Sequence, residues 1–227
     1  MKKIISLAIS FALIITMIFS LSACGEDEIY VEICFEDYGS CIVLLDPSVA
    51  PITVENFVTL VESGFYDGLT IHRVVKNFMI QGGDPKGNGT GGNMNPDGTK
   101  NEIFGEFAEN GFENDLSHKK GVISMARSND PDTASSQFFI CNADASASLD
   151  GKYAAFGYVV EGLDVIDRIT EEVFPKTAYA DYYGDYSIDS YYGTYKHVVW
   201  QYLGNGAVQY DEDKPVIKYI KVLDNYE

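Results

Sequence analysis

The residues of this 227-residue chain that covalent, metal or phosphate chemistry would need are few: four cysteines, three histidines, a glycine-rich hexad and a scatter of aspartates. Cys141 lies in Phe138-Phe139-Ile140-Cys141 with no basic partner nearby, so its thiol stays protonated and it reads as a small core residue, not a nucleophile. No C-x-x-C pair occurs, and His72, His118 and His197 are too widely spaced for a metal site, so no metal is expected. Gly87-Asn88-Gly89-Thr90-Gly91-Gly92 formally matches G-x-G-x-x-G. That fingerprint needs a following helix whose N-terminus meets a pyrophosphate, whereas Asn93-Met94-Asn95-Pro96-Asp97-Gly98 is turn chemistry. The G-K-[ST] ending of a P-loop is also missing, which leaves a glycine-rich surface loop. Asp181, Asp185 and Asp189 lack the dense spacing of a calcium loop.

With those chemistries set aside, composition narrows the class. The apolar share is 46%, ordinary for a globular domain, and the formal charge is −18 from 34 acidic and 16 basic residues. Nucleic acid is excluded as a partner, because such binders neutralise phosphates with clustered Lys and Arg. One medium-sized domain is expected. Short β-rich runs separated by Gly, Asn, Asp and Pro predict strands at Tyr30 to Phe35, Cys41 to Leu45, Thr70 to Val75, Phe78 to Gln81, Gly121 to Met125, Gln137 to Cys141, Ala154 to Val160 and Lys218 to Leu223. Val54, Phe57, Val58 and Val61 fall at helical spacing, with Thr53 as N-cap and Gly64 past the end, and a second helix is predicted from Leu163 to Ile169. The expected fold is all-β dominated: a closed eight-stranded antiparallel barrel capped by two α-helices, since closure removes exposed edges.

Two segments are far more specific. FYDGLTIHRVVKNFMIQGGDP (65–85) and GVISMARSNDPDTASSQFFIC (121–141) resemble the two signature blocks of the cyclophilin family of peptidyl-prolyl isomerases, and LDGKYAAFG (149–157) resembles the block that follows them. Order and spacing agree, and the similarity runs from about Ile29 to Ile169 plus the last strand. The family fold agrees with the strand count above.

The resemblance implies an isomerase that twists X-Pro bonds with neither nucleophile nor cofactor. The amide resists rotation by a barrier of about 18–20 kcal/mol, so catalysis must stabilise the twisted state. There the nitrogen becomes pyramidal and gains a lone pair, to which a fixed cation can donate. By the resemblance Arg73 is that cation, and Phe78, Met79, Phe139 and Leu149 hold the proline ring. Gln81 and Gln137 are polar positions around the pocket, and Ala126 and Arg127 align substrate backbone. Three positions depart from the pattern: Tyr153 stands where many members have His and can still donate a hydrogen bond, Ser148 where many eukaryotic members have Trp, and Arg127 where Asn is common. Strand alternation sends Phe138 and Ile140 to the core and leaves Phe139 for the groove.

The amino terminus reads as an address. Lys2 and Lys3 precede an apolar run from Ile4 to Phe19, then Leu21-Ser22-Ala23-Cys24 resembles the bacterial lipobox, whose cysteine is acylated after cleavage just before it. A simple secretory signal or an uncleaved anchor are the alternatives. The expected organisation is a signal peptide at 1–23, a tether at 24–28 and a domain at 29–227, extracytoplasmic, monomeric and lipid-anchored at Cys24 to a bacterial membrane. Its partners are the membrane and proline-containing segments of exported proteins. Cleavage removes two lysines and takes the charge from −18 to −20. In such a compartment Cys34 and Cys41, flanking Asp37-Tyr38-Gly39, form either a cross-hairpin disulfide or two free buried thiols. A tyrosine-rich insertion at about 177–209 is either a recognition surface or a hairpin packed on the barrel. Were it the former, the chain would be a binding module on the same scaffold.

Overall fold

The computed structural model describes residues 28–173, 206–208, 211–224 and 226. The expected signal peptide, nearly all of the tether, and residues 177–205 of the tyrosine-rich insertion lie outside the described residues. Eight strands follow the predicted order: β1 (Ile29–Phe35), β2 (Gly39–Leu45), β3 (Arg73–Val75), β4 (Met79–Gly82), β5 (Val122–Met125), β6 (Phe138–Cys141), β7 (Ala155–Glu161) and β8 (Ile217–Leu223). Among the described residues there are three α-helices, α1 (Pro51–Glu62), α2 (Ser146–Leu149) and α3 (Leu163–Glu172), one more than the two expected, because the single turn α2 is too short to show an apolar period in the sequence.

The strands make one antiparallel sheet in the order β3-β4-β6-β5-β7-β2-β1-β8. Its curl wraps one apolar face around a core: Val31, Ile33 and Phe35 alternate on β1 with more exposed neighbours, and Val31 pairs with Val43 across the hairpin. Phe57 of α1 plugs this core, meeting the rings of Tyr66, Phe138 and Phe156 at 5.2, 5.6 and 5.1 Å.

The sheet is a half-barrel, not the closed barrel expected. β3 is three residues long, and its outer edge is taken by residues 206–208: Val74 N–H donates to Gly206 O at 2.8 Å and Val208 N–H to His72 O at 2.9 Å. On the side away from β1, the start of β8 and the residues before it meet the chain before β3 and not β3 itself, through Ile71 N–H to Pro215 O and Ile217 N–H to Leu69 O. No ladder joins the two edge strands among the described residues.

Two local corrections follow from backbone accounting. Helix α1 begins at Pro51, and Thr53 is a buried residue inside it, not its cap. The cap is the buried carboxylate of Glu106, which accepts from Ile52 N–H at 3.0 Å and Thr53 N–H at 2.8 Å and also meets the positive end of the helix dipole. At the other end Gly64, at φ +69°, lets Phe65 N–H reach Leu60 O and Gly64 N–H reach Val61 O, closing the helix as predicted. Cys34 and Cys41 are free thiols, because register pairs Cys34 with Ser40 and Cys41 with Ile33. A one-residue offset puts the two sulfurs on opposite faces of the sheet. Cys41 is buried and Cys34 only half-buried.

Candidate active site

Alternation along β4 and β6 divides their side chains between two clusters. Ile80, Phe138 and Ile140 enter the main core, whereas Met79, Phe139 and Cys141 join Ala145 and Leu149 in a smaller cluster on the other face, with Val75, Phe78, Ala126 and Tyr153 packed against it. Here the sheet carries a cleft of about 200 Å³ lined by Arg73, Phe78, Met79, Gln81, Ala126, Arg127, Phe139, Leu149 and Tyr153. Nine of the ten site residues expected from the sequence thus meet in one hollow. Gln137, the tenth, lines an adjoining hollow of about 80 Å³ that shares Gln81, Ala126 and Arg127 as its wall.

A polar ladder runs along one side. Arg73 faces Gln81 in the β3–β4 register, and its Nη1 donates to Gln81 Oε1 at 3.2 Å and lies 3.7 Å from Met79 Sδ. Gln81 Nε2 donates to Gln137 Oε1 at 3.0 Å, and Gln137 Nε2 donates to the carbonyls of Gly89 and Gly91. The glycine-rich loop is in turn held by Asp84, whose carboxylate accepts from the N–H groups of Lys86, Asn88 and Gly89. Burial would push the Asp84 carboxyl up, but these hydrogen bonds win and hold it below its usual value. A hairpin at 94–100 follows the loop, so the helix that a dinucleotide fingerprint requires is missing from this place. Burial draws the Arg73 guanidinium below its usual pKa, partly opposed by Tyr153, and it remains a cation at neutral pH.

The opposite wall is built around Arg127. Its Nε and Nη2 donate to Lys152 O at 3.0 and 2.8 Å, its Nη1 donates to Ser128 O at 2.9 Å, and its guanidinium lies between the rings of Phe107 and Tyr153 at 5.0 and 4.7 Å. Tyr153 then stands edge-on to Phe139, with centroids 5.8 Å apart. Arg127 therefore does more than lend backbone: its side chain clamps the loop that presents Tyr153.

Beneath the floor lies an arrangement that sequence spacing does not reveal. His118 Nδ1 is 2.8 Å from Asp150 Oδ1, its Nε2 is 3.0 Å from Ser124 Oγ, and its ring stacks on Phe139 at 6.0 Å. The grouping is that of a hydrolytic triad, but Ser124 is wholly buried and out of reach of any substrate, so it serves as a brace under Phe139. Burial lowers the His118 pKa more than Asp150 raises it. Ser148 is exposed on α2, with its hydroxyl turned to Ala145 O at 3.0 Å.

Comparison with known proteins agrees with this geometry. Residues 30–182 match the sequence model of the family described as cyclophilin type peptidyl-prolyl cis-trans isomerase/CLD. The chain is 43% identical over 132 residues to the Schizosaccharomyces pombe peptidyl-prolyl cis-trans isomerase ppi1, covering 58% of this chain and 79% of that one. It is 42% identical over 137 residues to the Dickeya dadantii peptidyl-prolyl cis-trans isomerase A, covering 59% and 67%. Among solved structures, a Cryptosporidium parvum cyclophilin type peptidyl-prolyl cis-trans isomerase superposes with a TM-score of 0.64 at 25% identity, covering 88% of this chain and 99% of that one. The signature blocks, the half-barrel and these relatives place the chain in the cyclophilin-type peptidyl-prolyl cis-trans isomerase family, whose members rotate X-Pro bonds without a cofactor.

Proposed function

We propose that the cleft holds a proline ring against Phe78, Met79, Phe139 and Leu149 while Arg73 donates to the amide nitrogen as the C–N bond twists. The observation that carries this assignment is the Arg73 guanidinium beside the aromatic, thioether and aliphatic side chains of Phe78, Met79, Phe139 and Leu149 in one hollow of about 200 Å³. A structure of the Cryptosporidium relative determined in the presence of the dipeptide Ala-Pro supports a ligand of this kind. A charged hydrogen bond contributes about 1.5–3 kcal/mol, and a ~10⁴-fold acceleration needs about 5.5 kcal/mol. The remainder comes from orientation and from preset dipoles in a site of reduced polarity. Gln81 fixes the Arg73 fork, Ala126 and Gln137 border the substrate backbone, and Tyr153 offers a hydroxyl to a substrate carbonyl.

The clients in this proposal are exported proteins, and the enzyme works outside the cytoplasm as a monomer tethered through lipid on Cys24. Leu21-Ser22-Ala23-Cys24, after a basic and then an apolar stretch, supports this placement. The test is a protease-coupled proline-peptide assay on purified full-length protein in neutral detergent, wild type against Arg73→Ala. Acceleration that disappears in the variant supports the assignment, and acceleration indifferent to Arg73 overturns it. Incorporation of labelled palmitate into wild type but not Cys24→Ser tests the anchor.

A further inference from the structure

Three side chains that belong to neither apolar cluster stand side by side across three strands. Register sets Tyr30 of β1 opposite Leu44 of β2, and Leu44 opposite Tyr158 of β7, all on the face turned away from the core. Ile42 and Val160 extend this apolar row on the same face, with Tyr158 and Val160 exposed and the others half-buried. Tyr226 adds a ring 4.4 Å from that of Tyr30. Beside Leu44 and Tyr158 a hollow of about 370 Å³ opens between Glu28 and the turn at Asp46, Pro47 and Ser48. We infer that this face lies on the membrane, against lipids whose headgroups present an ammonium, and so fixes the orientation in which the tethered domain works. The inference rests on the assignment of Cys24 as the lipid anchor.

Chain length puts the face within reach of the bilayer. Gly25, Glu26 and Asp27 are all that separates Cys24 from Glu28 at the lip of the hollow. Four Cα steps span at most about 14 Å, so a lipidated Cys24 keeps this end of the sheet at the headgroups whichever way the domain turns. Tyrosine suits that depth, since its ring is apolar and its hydroxyl stays wet. Charge then selects the lipid. Glu28 accepts from the Tyr30 hydroxyl at 2.7 Å, Glu161 accepts from the Tyr226 hydroxyl, and Asp46 stands at the edge of the hollow. Lys221, on the neighbouring strand, is already paired with Glu32 at 2.7 Å. A rim of carboxylates repels anionic lipid and favours an exposed ammonium. The same rim opposes a second copy of the chain as the occupant, because self-pairing would bring carboxylate against carboxylate. The hollow and the row share no residue with the lining of the cleft, so docking covers none of the proline site's side chains.

The test uses protein purified in neutral detergent from cells fed labelled palmitate and reconstituted in vesicles of phosphatidylcholine and phosphatidylethanolamine that carry a headgroup spin label. Tyr158→Trp reports on the docked face, and Met94→Trp, exposed on the hairpin whose Lys100 lines the hollow next to the cleft, reports on another. Each is read against the parent chain with its Trp200. Quenching of Tyr158→Trp is expected to exceed that of Met94→Trp by about 2-fold or more. Replacing part of the lipid with phosphatidylglycerol should reduce the excess and salt should restore it, the reverse of what a basic surface does. Adding Val160→Asp should erase the excess while peptide turnover, which reports an intact fold, stays at the parent rate. Equal quenching at the two positions, an excess that grows with phosphatidylglycerol, or an excess indifferent to Val160→Asp overturns the inference and leaves the anchor standing. A dimer in detergent that Val160→Asp dissociates gives the face to a second copy and overturns it too. Protein that takes up no palmitate and does not stay with the vesicles overturns the Cys24 anchor, and the inference with it.

Discussion

Arg73 and Gln81 stand opposite one another across β3 and β4, and the amide oxygen of Gln81 takes the Arg73 Nη1–H at 3.2 Å. The pairing aims the guanidinium into the cleft and links it to the glycine-rich loop through Gln137. If Arg73 donates to the twisting nitrogen, Arg73→Ala lowers kcat by roughly 10- to 150-fold, the equivalent of 1.5–3 kcal/mol. Gln81→Ala leaves the cation but loosens it, with an expected loss of about 2- to 10-fold. Steady-state rates on one proline peptide check both, and equal losses in the two variants would count against the division of roles.

The Glu106 cap gives a stability prediction remote from the cleft. Its carboxylate satisfies two orphan N–H groups of α1 from 54 and 53 residues away in sequence, buried where water cannot replace it. Glu106→Ala is expected to cost about 2–3 kcal/mol, a fall in Tm of roughly 4–12 °C for a domain of this size. Glu106→Gln, which keeps one acceptor, should lose about half as much. Thermal unfolding followed by circular dichroism measures this, and a shift below 1 °C in Glu106→Ala would remove the cap from the account.

These two cases show what the sequence could and could not reveal. Strand positions were legible within a few residues because apolar alternation and turn residues are local signals, and Phe139 could be told from Phe138 and Ile140 by period alone. Nine cleft residues were legible because they lie inside long blocks of family pattern. Glu106 capping α1, His118 bridging Ser124 and Asp150, and Arg127 clamping Lys152 were not, since each is a side-chain contact fixed only by the fold and no spacing rule reports it. Barrel closure was overestimated for a related reason: the competition of residues 206–208 for the β3 edge depends on where a long insertion re-enters the sheet.

Acid should weaken the fold through its buried histidines. Burial lowers the pKa of both His72 and His118 below the usual 6.5, against the raising influence of Asp84 on one and Asp150 on the other. The unfolded chain therefore takes up protons first as pH falls, so their contribution is intact above about pH 6.5 and is lost as pH drops toward the folded values. Each can add at most about 1.4 kcal/mol per pH unit to the slope. Urea midpoints at pH 7.5, 6.5 and 5.5 should decline, and more shallowly in His118→Gln. A midpoint constant over that range would contradict the sign.

Thiol reactivity should separate the cysteines. Burial pushes the Cys41 and Cys141 thiols up to about 12, so neither supplies thiolate at neutral pH, whereas Cys34 is half-buried on the other face of its hairpin. Brief labelling of native protein with an alkylating reagent, followed by peptide mapping, should mark Cys34 and spare Cys41 and Cys141 until denaturant is added. Recovery of a Cys34–Cys41 cross-linked peptide under non-reducing conditions would contradict the register.

Arg127 offers the sharpest separation of binding from catalysis. Its donors end on Lys152 O and Ser128 O, and its flat cation is held between Phe107 and Tyr153, so its effect on substrate passes through the Tyr153 wall and the shared rim with Ala126. Arg127→Lys keeps the charge but has no fork to span the carbonyls and no plane to stack, so it should behave almost as badly as Arg127→Ala. Both are expected to raise KM about 3- to 10-fold with kcat changed by less than about 2-fold, because Arg73 is fixed independently by Gln81. The contrast with Arg73→Ala, which lowers kcat, is the measurement that matters. If Arg127→Lys retained wild-type KM, the clamp would be a matter of charge alone; if it lowered kcat as Arg73→Ala does, the two walls of the cleft would not be separable.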